Sequence, residues 1–285
     1  MERGLKGGRW PLIIIRGGGD LGSGCAARLF RAGFPVLICE LERPRMVRRS
    51  VCFGEAVWEG KVSIEGIEGR LVDFPTTPNP QWLAQVQAKR YIGVVVDASG
   101  ESLERLTPAV VVDARMLKGG YGEGRSPRWG SIGLGPGFEA GANIDLIVET
   151  MRGHSLGRVI REGSALPNTG VPGIVGGEGA RRLIRAPRAG VFRGEVELGA
   201  LVEAGQRVGW VEDRPVLVSL SGLLRGLMRS GTEVREGEKL GDCDPRGAEI
   251  DLYAISDKAR AVAGGVLEGV LTLLGERGWG WMAPK

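Results

Sequence analysis

The sequence has a single histidine, His154, and its four cysteines show no Cys-x-x-Cys spacing. Structural zinc sites need several such ligands at short, regular spacings, so we expect no structural metal. Cysteines that form no recognisable disulfide framework are typical of proteins in a reducing compartment. These absences predict a cytoplasmic protein whose thiols are reduced.

Long apolar runs and aromatic clusters are also scarce. The basic N-terminus is followed by an apolar run of only residues 12–15, too short for a signal peptide or a membrane span. The arginines of residues 43–49 and 181–188 lack the interleaved aromatic side chains typical of a nucleic-acid-binding face. With a net charge of +4, we expect small anionic ligands, and neither nucleic acid nor membrane as a partner.

Glycine is what the sequence has in excess, with 49 of 285 residues. Gly17, Gly19 and Gly22 fit the pattern G-x-G-x-x-G between an apolar run and a helical pattern over residues 20–32. A second apolar run at residues 36–39 completes a strand–helix–strand unit. This context predicts a dinucleotide-binding loop, with phosphates on the amides of Asp20, Leu21 and Gly22 at the helix start. The alternative is a tight turn that binds no ligand.

Acidic residues near this loop refine the prediction. Glu40 ends the second strand, 18 positions after Gly22, where an acidic residue normally hydrogen-bonds a ribose 2′-hydroxyl. It favours an unphosphorylated adenosine-type ligand over NADP, although Arg43 and Arg45 weaken that preference. Asp20 suits a helix N-cap, but its charge would repel a pyrophosphate on the same amides unless the side chain turns away.

Two later apolar runs end in aspartates. Asp97 follows residues 92–96 and Asp113 follows residues 109–112. Ligands of parallel sheets bind at the carboxyl ends of the strands, so both aspartates are expected in the ligand crevice, with Arg115 and Lys118. The alternative is that both aspartates cap turns.

Residues 119–180 are glycine-rich and hold few periodic elements. A loop of that length inside a compact domain is usually functional. His154 lies there close to Arg152, so both are candidate ligand-binding residues. A structural role for the lone histidine is the alternative.

An internal repeat follows, with an offset of 32 positions. Seven residues between positions 190 and 209, five of them glycines, recur between positions 222 and 241. Short strands punctuated by glycine fit this pattern and resemble the biotinyl/lipoyl barrel-sandwich hybrid. The link between the copies, residues 210–215, has no lysine, so we expect no lipoyl or biotinyl group.

These patterns predict an α/β fold class and four segments. Residues 1–118 form a Rossmann-like parallel-sheet domain that binds a nucleotide, and residues 119–180 form a glycine-rich connection. Residues 181–247 form a small all-β, barrel-sandwich-hybrid-like domain. Residues 248–285 form a C-terminal helix that starts at the N-cap Ser256 and carries one apolar stripe.

Several stretches of the sequence carry a family resemblance, in the same order along nearly the whole chain. They are residues 16–24 (RGGGDLGSG), 48–60 (RRSVCFGEAVWEG), 132–138, 149–158 (ETMRGHSLGR), 167–173 (PNTGVPG), 242–247 (DCDPRG) and 256–267 (SDKARAVAGGVL). Together they resemble the YqeB-type accessory proteins of selenium-dependent molybdenum hydroxylase systems. The N-terminal domain also looks similar to that of XdhC-type molybdenum-cofactor insertion proteins.

The resemblance implies a role in hydroxylase maturation. The protein partner would be a selenium-dependent molybdenum hydroxylase, and the ligand a nucleotide-bearing one such as molybdopterin cytosine dinucleotide. Arg115, Lys118 and Arg152 would supply countercharge to its pyrophosphate. The resemblance supplies no catalytic residue and assigns no sulfur or selenium chemistry to Cys25 or Cys52.

Two other functions remain open. The chain could be an NAD-dependent oxidoreductase, in which His154, Tyr121, Lys118 or an aspartate would transfer protons. It could instead be a non-catalytic interaction scaffold, and it could assemble as a homo-oligomer.

Overall fold

The computed structural model describes residues 11–74, 91–117, 125–171 and 173–279. The chain forms two compact units. The first, here called the sheet unit, comprises the described residues of 1–44, 53–168 and 255–285. The second, the β unit, comprises those of 45–52 and 169–254. These units cut across the predicted segments, because residues 45–52 join the β unit and the C-terminal helix joins the sheet unit.

The sheet unit is built on nine strands in the order β3-β4-β5-β2-β1-β6-β7-β8-β9. The seven central strands are parallel, and the two edge strands are antiparallel to their neighbours. The strands are β1 (Ile13–Arg16), β2 (Val36–Glu40), β3 (Lys61–Ile64), β4 (Ile67–Leu71), β5 (Ile92–Val96), β6 (Val110–Asp113), β7 (Gly130–Leu134), β8 (Leu146–Val148) and β9 (Val159–Ile160).

Continuous apolar runs place the central strands inside the sheet unit. Ile13, Ile14 and Ile15 of β1 are fully buried, as expected for a parallel strand covered on both faces. Ile13 and Ile15 contact one core and Ile14 contacts the other, because successive side chains of a strand point to opposite faces.

Helices cover both faces of this sheet. Helix α1 (Asp20–Arg31) and helix α4 (Asp257–Glu276) supply buried side chains to one core. Helix α3 (Glu101–Leu106) supplies them to the other, and α2 (Ala56–Glu59) is a single turn before β3. None of the helices in the described part of the chain has the length and hydropathy of a membrane span.

The predicted fold class, a Rossmann-like parallel-sheet domain followed by a barrel-sandwich-hybrid-like domain and a separate C-terminal helix, is wrong. The large sheet is mixed, since β3 and β9 add antiparallel edges. The C-terminal helix packs in the sheet unit against α1. The β unit consists of two four-stranded sheets. Apolar runs revealed the buried central strands, but β3 is mostly exposed and lacks such a run.

Glycines let α4 lie very close to its neighbours. A Cβ atom at Gly24 of α1 would lie 2.9 Å from the Cβ of Ala259. A Cβ at Gly265 would lie 2.1 Å from the carbonyl oxygen of Gly157. The predicted cap is also present, because the Ser256 hydroxyl accepts a hydrogen bond from the amide of Ala259 at 3.1 Å.

Adjacent glycines of α4 give a matched test of this packing. We expect Gly265→Ala to lower the free energy of unfolding by about 1–3 kcal/mol, because the methyl group collides with backbone. Gly264→Ala, with no atom within 4 Å of the new Cβ, should instead raise it by about 0.5–1 kcal/mol. Urea unfolding of both variants measures the difference, and equal effects would contradict the contact with Gly157.

The β unit contains two antiparallel sheets, ordered β10-β17-β15-β12 and β14-β13-β11-β16. Their strands are β10 (Leu183–Arg185), β11 (Gly190–Gly194), β12 (Leu201–Val202), β13 (Arg207–Val211), β14 (Arg214–Leu217), β15 (Gly222–Leu227), β16 (Glu233–Val234) and β17 (Lys239–Asp244). Residues 45–52 belong here because Val47 accepts from the Leu227 amide at 2.9 Å and Arg49 donates to the Leu227 carbonyl at 2.7 Å.

The 32-residue repeat is visible in these strands. The first residues of β11, β12 and β13 each lie 32 positions before those of β15, β16 and β17. The copies exchange strands, since β11 pairs with β16 and β12 pairs with β15. The link predicted to carry no attachment lysine is the β13–β14 hairpin, with Glu212 at a positive φ of 53°.

Candidate functional site

The candidate site lies in the sheet unit, at the carboxyl ends of β5, β2, β1 and β6. These strands are adjacent and parallel, so the residues that follow them share one edge of the sheet. The segment after β1 is Gly17-Gly18-Gly19, here called the glycine loop, and it leads directly into α1. In open α/β sheets, ligands bind outside this edge.

Each glycine of the motif has a different structural role. Gly17 has φ +99°, a left-handed conformation that favours glycine. A Cβ atom at Gly22 would lie 2.0 Å from the Gly17 carbonyl oxygen, so α1 can pack this closely against the loop only because residue 22 has no side chain. A Cβ atom at Gly19 would have no neighbouring atom within 4 Å, and the backbone there is extended, with φ −73° and ψ −171°. The loop is therefore closed at Gly17 and Gly22 and open at Gly19.

Glu40 fixes the loop against the end of β2. One carboxylate oxygen accepts from the Gly18 amide at 2.7 Å and the other from the Leu41 amide at 2.8 Å. Burial raises the pKa of Glu40, and these two amides partly offset that rise. Both carboxylate oxygens of Glu40 therefore accept hydrogen bonds from backbone amides, whereas the sequence predicted a contact with a ribose hydroxyl. Each oxygen also has a second lone pair that can accept from a further donor.

A neighbouring segment, Phe53–Glu55, closes the loop from the other side. The carbonyl of Gly18 accepts from the Gly54 amide at 3.0 Å and from the Ser23 hydroxyl at 2.9 Å. The Ser23 oxygen in turn accepts from the Phe53 amide at 2.8 Å. Two regions far apart in sequence thus shape one rigid loop.

A small pocket opens beside the ends of β1 and β6. Its volume is about 70 Å³, enough for one small anionic group and too little for a whole nucleotide. Arg16, Asp113 and Arg115 contribute its charges, with Ser126 and Asn143 among the polar lining residues. Arg16 is only 3% exposed and donates to the Ala98 carbonyl at 3.3 Å.

Asp113 and Arg115, both predicted site residues, form an ion pair in this pocket. The Nε atom of Arg115 lies 3.0 Å from one oxygen of Asp113 and 3.1 Å from the other. With Arg16, the pocket thus holds two guanidinium groups and one carboxylate. This balance favours an anionic group.

Asp97 caps the start of α3. Its carboxylate accepts from the amides of residues 100–102 at 2.8–3.0 Å and from the hydroxyls of Ser99 and Ser102. Burial raises the pKa of Asp97, but the hydrogen bonds from Ser102 and the backbone outweigh it and hold the pKa below its ordinary value. The carboxylate is therefore occupied as a turn cap.

We expect Asp97→Asn to lower the free energy of unfolding at pH 7 by about 1–3 kcal/mol, because the amide nitrogen faces donors it cannot accept from. A depressed folded pKa contributes stability above the unfolded value of about 3.9 and loses it as the pH falls through the folded value. The difference from the wild type should therefore shrink below about pH 4 in urea unfolding. A difference that does not change with pH would contradict this role.

The remaining predicted site residues are Arg152, His154, Lys118 and Tyr121. Arg152 forms a two-point ion pair with Asp257 at the start of α4, at 2.7 and 3.0 Å. His154 is exposed in the turn that follows. Lys118 and Tyr121 lie outside the described residues.

All four cysteines are buried and unpaired with one another. Burial raises the pKa of Cys25 and of Cys39 to about 12 and that of Cys243 to about 11. Cys52 donates to the Arg48 carbonyl at 3.1 Å. Reactive cysteines need an accessible thiolate, so none of these is placed to carry sulfur or selenium. Within the described chain, no group of three or more His, Cys, Asp or Glu residues is arranged to hold a metal.

Exposed apolar side chains rim the same edge of the sheet. They follow or end neighbouring strands and are each 41–49% exposed: Leu41, Val96, Met116 and Leu117. Residues this apolar usually avoid water, and a group of them beside polar side chains often marks a ligand or partner site.

Three contributors to the site were missed from the sequence. Arg16 ends an apolar run just before the glycines, and that position was its only signal. Gly54 reaches the loop from a distant segment, and Phe138 lines the pocket. Glu149 was also missed; it organises its own loop by accepting from the amides of residues 150, 151 and 166.

These features define an α/β protein with an open glycine loop at the carboxyl edge of a mixed sheet. No family model matches the sequence. The chain is 43% identical over 263 residues to a protein of Escherichia coli strain K12 described as "Uncharacterized protein YqeB". The match covers 92% of this chain and 48% of that protein, so the chain spans about half the length of this relative. The similarity supports the resemblance to YqeB-type proteins.

Solved structures share only distant similarity with this chain. A succinylglutamate desuccinylase/aspartoacylase from Rhodobacter sphaeroides is 15% identical, with 82% of this chain and 85% of that chain covered and a TM-score of 0.26. The ectoine utilization protein EutE (DoeB) from Ruegeria pomeroyi, with product bound, is 12% identical, with coverages of 81% and 56% and a TM-score of 0.22. Neither similarity is close enough to carry an argument about this chain.

Proposed function

We propose that this chain binds a nucleotide-bearing ligand at its glycine loop and acts in the maturation of a selenium-dependent molybdenum hydroxylase. The observation that carries the ligand proposal is the open face of Gly19 at the start of α1. The first amides of a helix lack partners within the helix, and the helix dipole places partial positive charge there. Helix ends of this kind are common phosphate-binding sites where the backbone can be approached closely.

The surroundings of the loop suit a ligand with more than one part. The pocket beside Arg16 and Arg115 has room for a single small anionic group. The apolar rim of Leu41, Val96 and Met116 offers a surface for a flat or apolar part. A ligand with a phosphate and a heterocycle, such as molybdopterin cytosine dinucleotide or NAD, matches this combination.

Support for the maturation role comes from where the resembling stretches lie. Residues 16–24 contain the glycine loop, residues 48–60 supply Gly54, and residues 132–138 supply Ile132 and Phe138 to the pocket. Three separate stretches that carry the resemblance to YqeB-type proteins therefore lie at the glycine loop or at the pocket beside it. The proposed role is like that of XdhC-type cofactor-insertion proteins, and its proposed place is the cytoplasm.

The burial of the four thiols limits the chemistry that this chain would contribute to maturation. With Cys25, Cys39, Cys52 and Cys243 all buried, the proposed action is to hold and present a cofactor. The hydroxylase, or a further part of a longer protein, would then supply the sulfur or selenium chemistry.

Gly19→Leu tests the site, because the backbone at Gly19 accepts a side chain without strain and the new atoms fill the open face. We expect wild-type binding of cytidine diphosphate and cytidine triphosphate in calorimetry, and at least about tenfold weaker binding in the variant. Gly275→Leu is the matched control, because a Cβ atom at the exposed Gly275 likewise has no neighbouring atom within 4 Å.

The outcomes separate the candidate functions. Cytidine nucleotide binding that is lost only in Gly19→Leu supports the proposal, most strongly if that variant also fails to support hydroxylase maturation. Binding of NAD or NADH alone would favour an oxidoreductase. If no nucleotide binds, or if maturation survives in a folded Gly19→Leu variant, the loop has no such function and the scaffold interpretation takes its place.

A further inference from the structure

A second cavity of the sheet unit lies between α1 and α4, away from the glycine loop. Its volume is about 390 Å³, within the range of small-molecule sites. Small residues form its floor, among them Gly24, Ala27 and Ala263. Three arginines, Arg28, Arg31 and Arg260, surround this floor, and we call the cavity the arginine cleft.

Among the described residues, one carboxylate, that of Glu65, pairs with two of these three arginines. Glu65 accepts from Arg31 at 3.0 Å through one oxygen, and from Arg260 at 2.5 Å and the Ile255 amide at 2.9 Å through the other. In the same part of the chain, Arg28 has no carboxylate within 4 Å; it donates a hydrogen bond to the Arg260 carbonyl at 3.4 Å. The cleft therefore carries an excess of two positive charges.

The end of α1 does not account for this excess. Arg28 and Arg31 lie in the last turn of α1, where the helix dipole amounts to about half a negative charge. Two arginines and a third from another helix exceed what that dipole can neutralise. After Glu65 is counted, the remaining positive charge in the cleft is unbalanced, and a bound anion would relieve the repulsion between the guanidinium groups.

Backbone contacts also hold these arginines in place before any ligand arrives. Arg31 donates to the Glu65 carbonyl at 3.2 Å as well as to its carboxylate, and Arg28 donates to the Arg260 carbonyl. Glu65 sits at the tip of the β3–β4 hairpin with a positive φ of 47°, where glycine or asparagine is usual. Ordered donors lose less conformational freedom when they bind.

We propose that the arginine cleft is a binding site for a phosphate dianion, either inorganic phosphate or a small phosphate monoester. A doubly charged anion matches the excess of two positive charges. Guanidinium groups bind phosphate oxygens in a two-point fork, so Arg28 and its neighbours can contact several oxygens at once. The small floor leaves room for a short organic part. This site is independent of the proposed nucleotide site at Gly19.

The test is calorimetry of the full chain with inorganic phosphate and with glycerol 3-phosphate, at constant ionic strength set with chloride. We expect both to bind, with stronger binding of the ester if the floor contacts its organic part. Arg28→Gln should weaken binding at least about tenfold, because Arg28 has no carboxylate partner to compensate. Its unfolding midpoint should stay unchanged, because Arg28 is exposed.

Two control variants, each changed outside the arginine cleft, test whether the loss of binding is specific to Arg28. Arg158→Gln removes an exposed arginine outside the cleft and should leave phosphate binding intact. Gly19→Leu should also leave it intact, even where nucleotide binding is lost. The proposal is overturned if neither phosphate compound binds, if Arg158→Gln weakens binding as much as Arg28→Gln does, or if only Gly19→Leu removes it.

Discussion

The hydrogen bond from the Gly18 amide to the buried Glu40 carboxylate connects most of what surrounds the glycine loop. It ties the turn after β1 to the end of β2, the neighbouring strand. The carbonyl of the same glycine accepts from Gly54 and Ser23, which fixes the start of α1. Because these partners come from three segments, the shape of the loop depends on the completed sheet unit and not on local sequence alone.

Sequence patterns predicted those elements whose structure depends on residues close by in the chain. The run of three isoleucines in β1 and the cap at Ser256 lie where periodicity and capping rules placed them. Helix α1 begins near the predicted position, but its N-cap is Gly19, with no side-chain cap, and not Asp20. The 32-residue offset also recurs in the strands of the β unit, from β11 to β15 and onward. These elements depend on burial, turn conformation and capping, each of which leaves a signal within a few residues.

Contacts between residues far apart in the sequence have no comparable local pattern from which to predict them. The mixed edges of the large sheet depend on the exposed strand β3 and on the two-residue strand β9. The ion pair of Arg152 with Asp257 joins residues 105 positions apart, and no local sequence pattern signals that contact. Asp97 was expected to face the ligand crevice, but its carboxylate accepts hydrogen bonds from nearby amides and hydroxyls. A carboxylate just before a helix start has several such donors within a few residues.

The exchange of strands in the β unit has a consequence for how that unit forms. Strand β11 pairs with β16, and β12 pairs with β15, and each of these pairs joins one copy of the repeat to the other. Neither copy can therefore complete its sheet alone. A partly made chain that ends at β14 would present unpaired strand edges, which are prone to pair with other chains. We therefore expect the two sheets of the β unit to be completed only when both copies of the repeat have been synthesised.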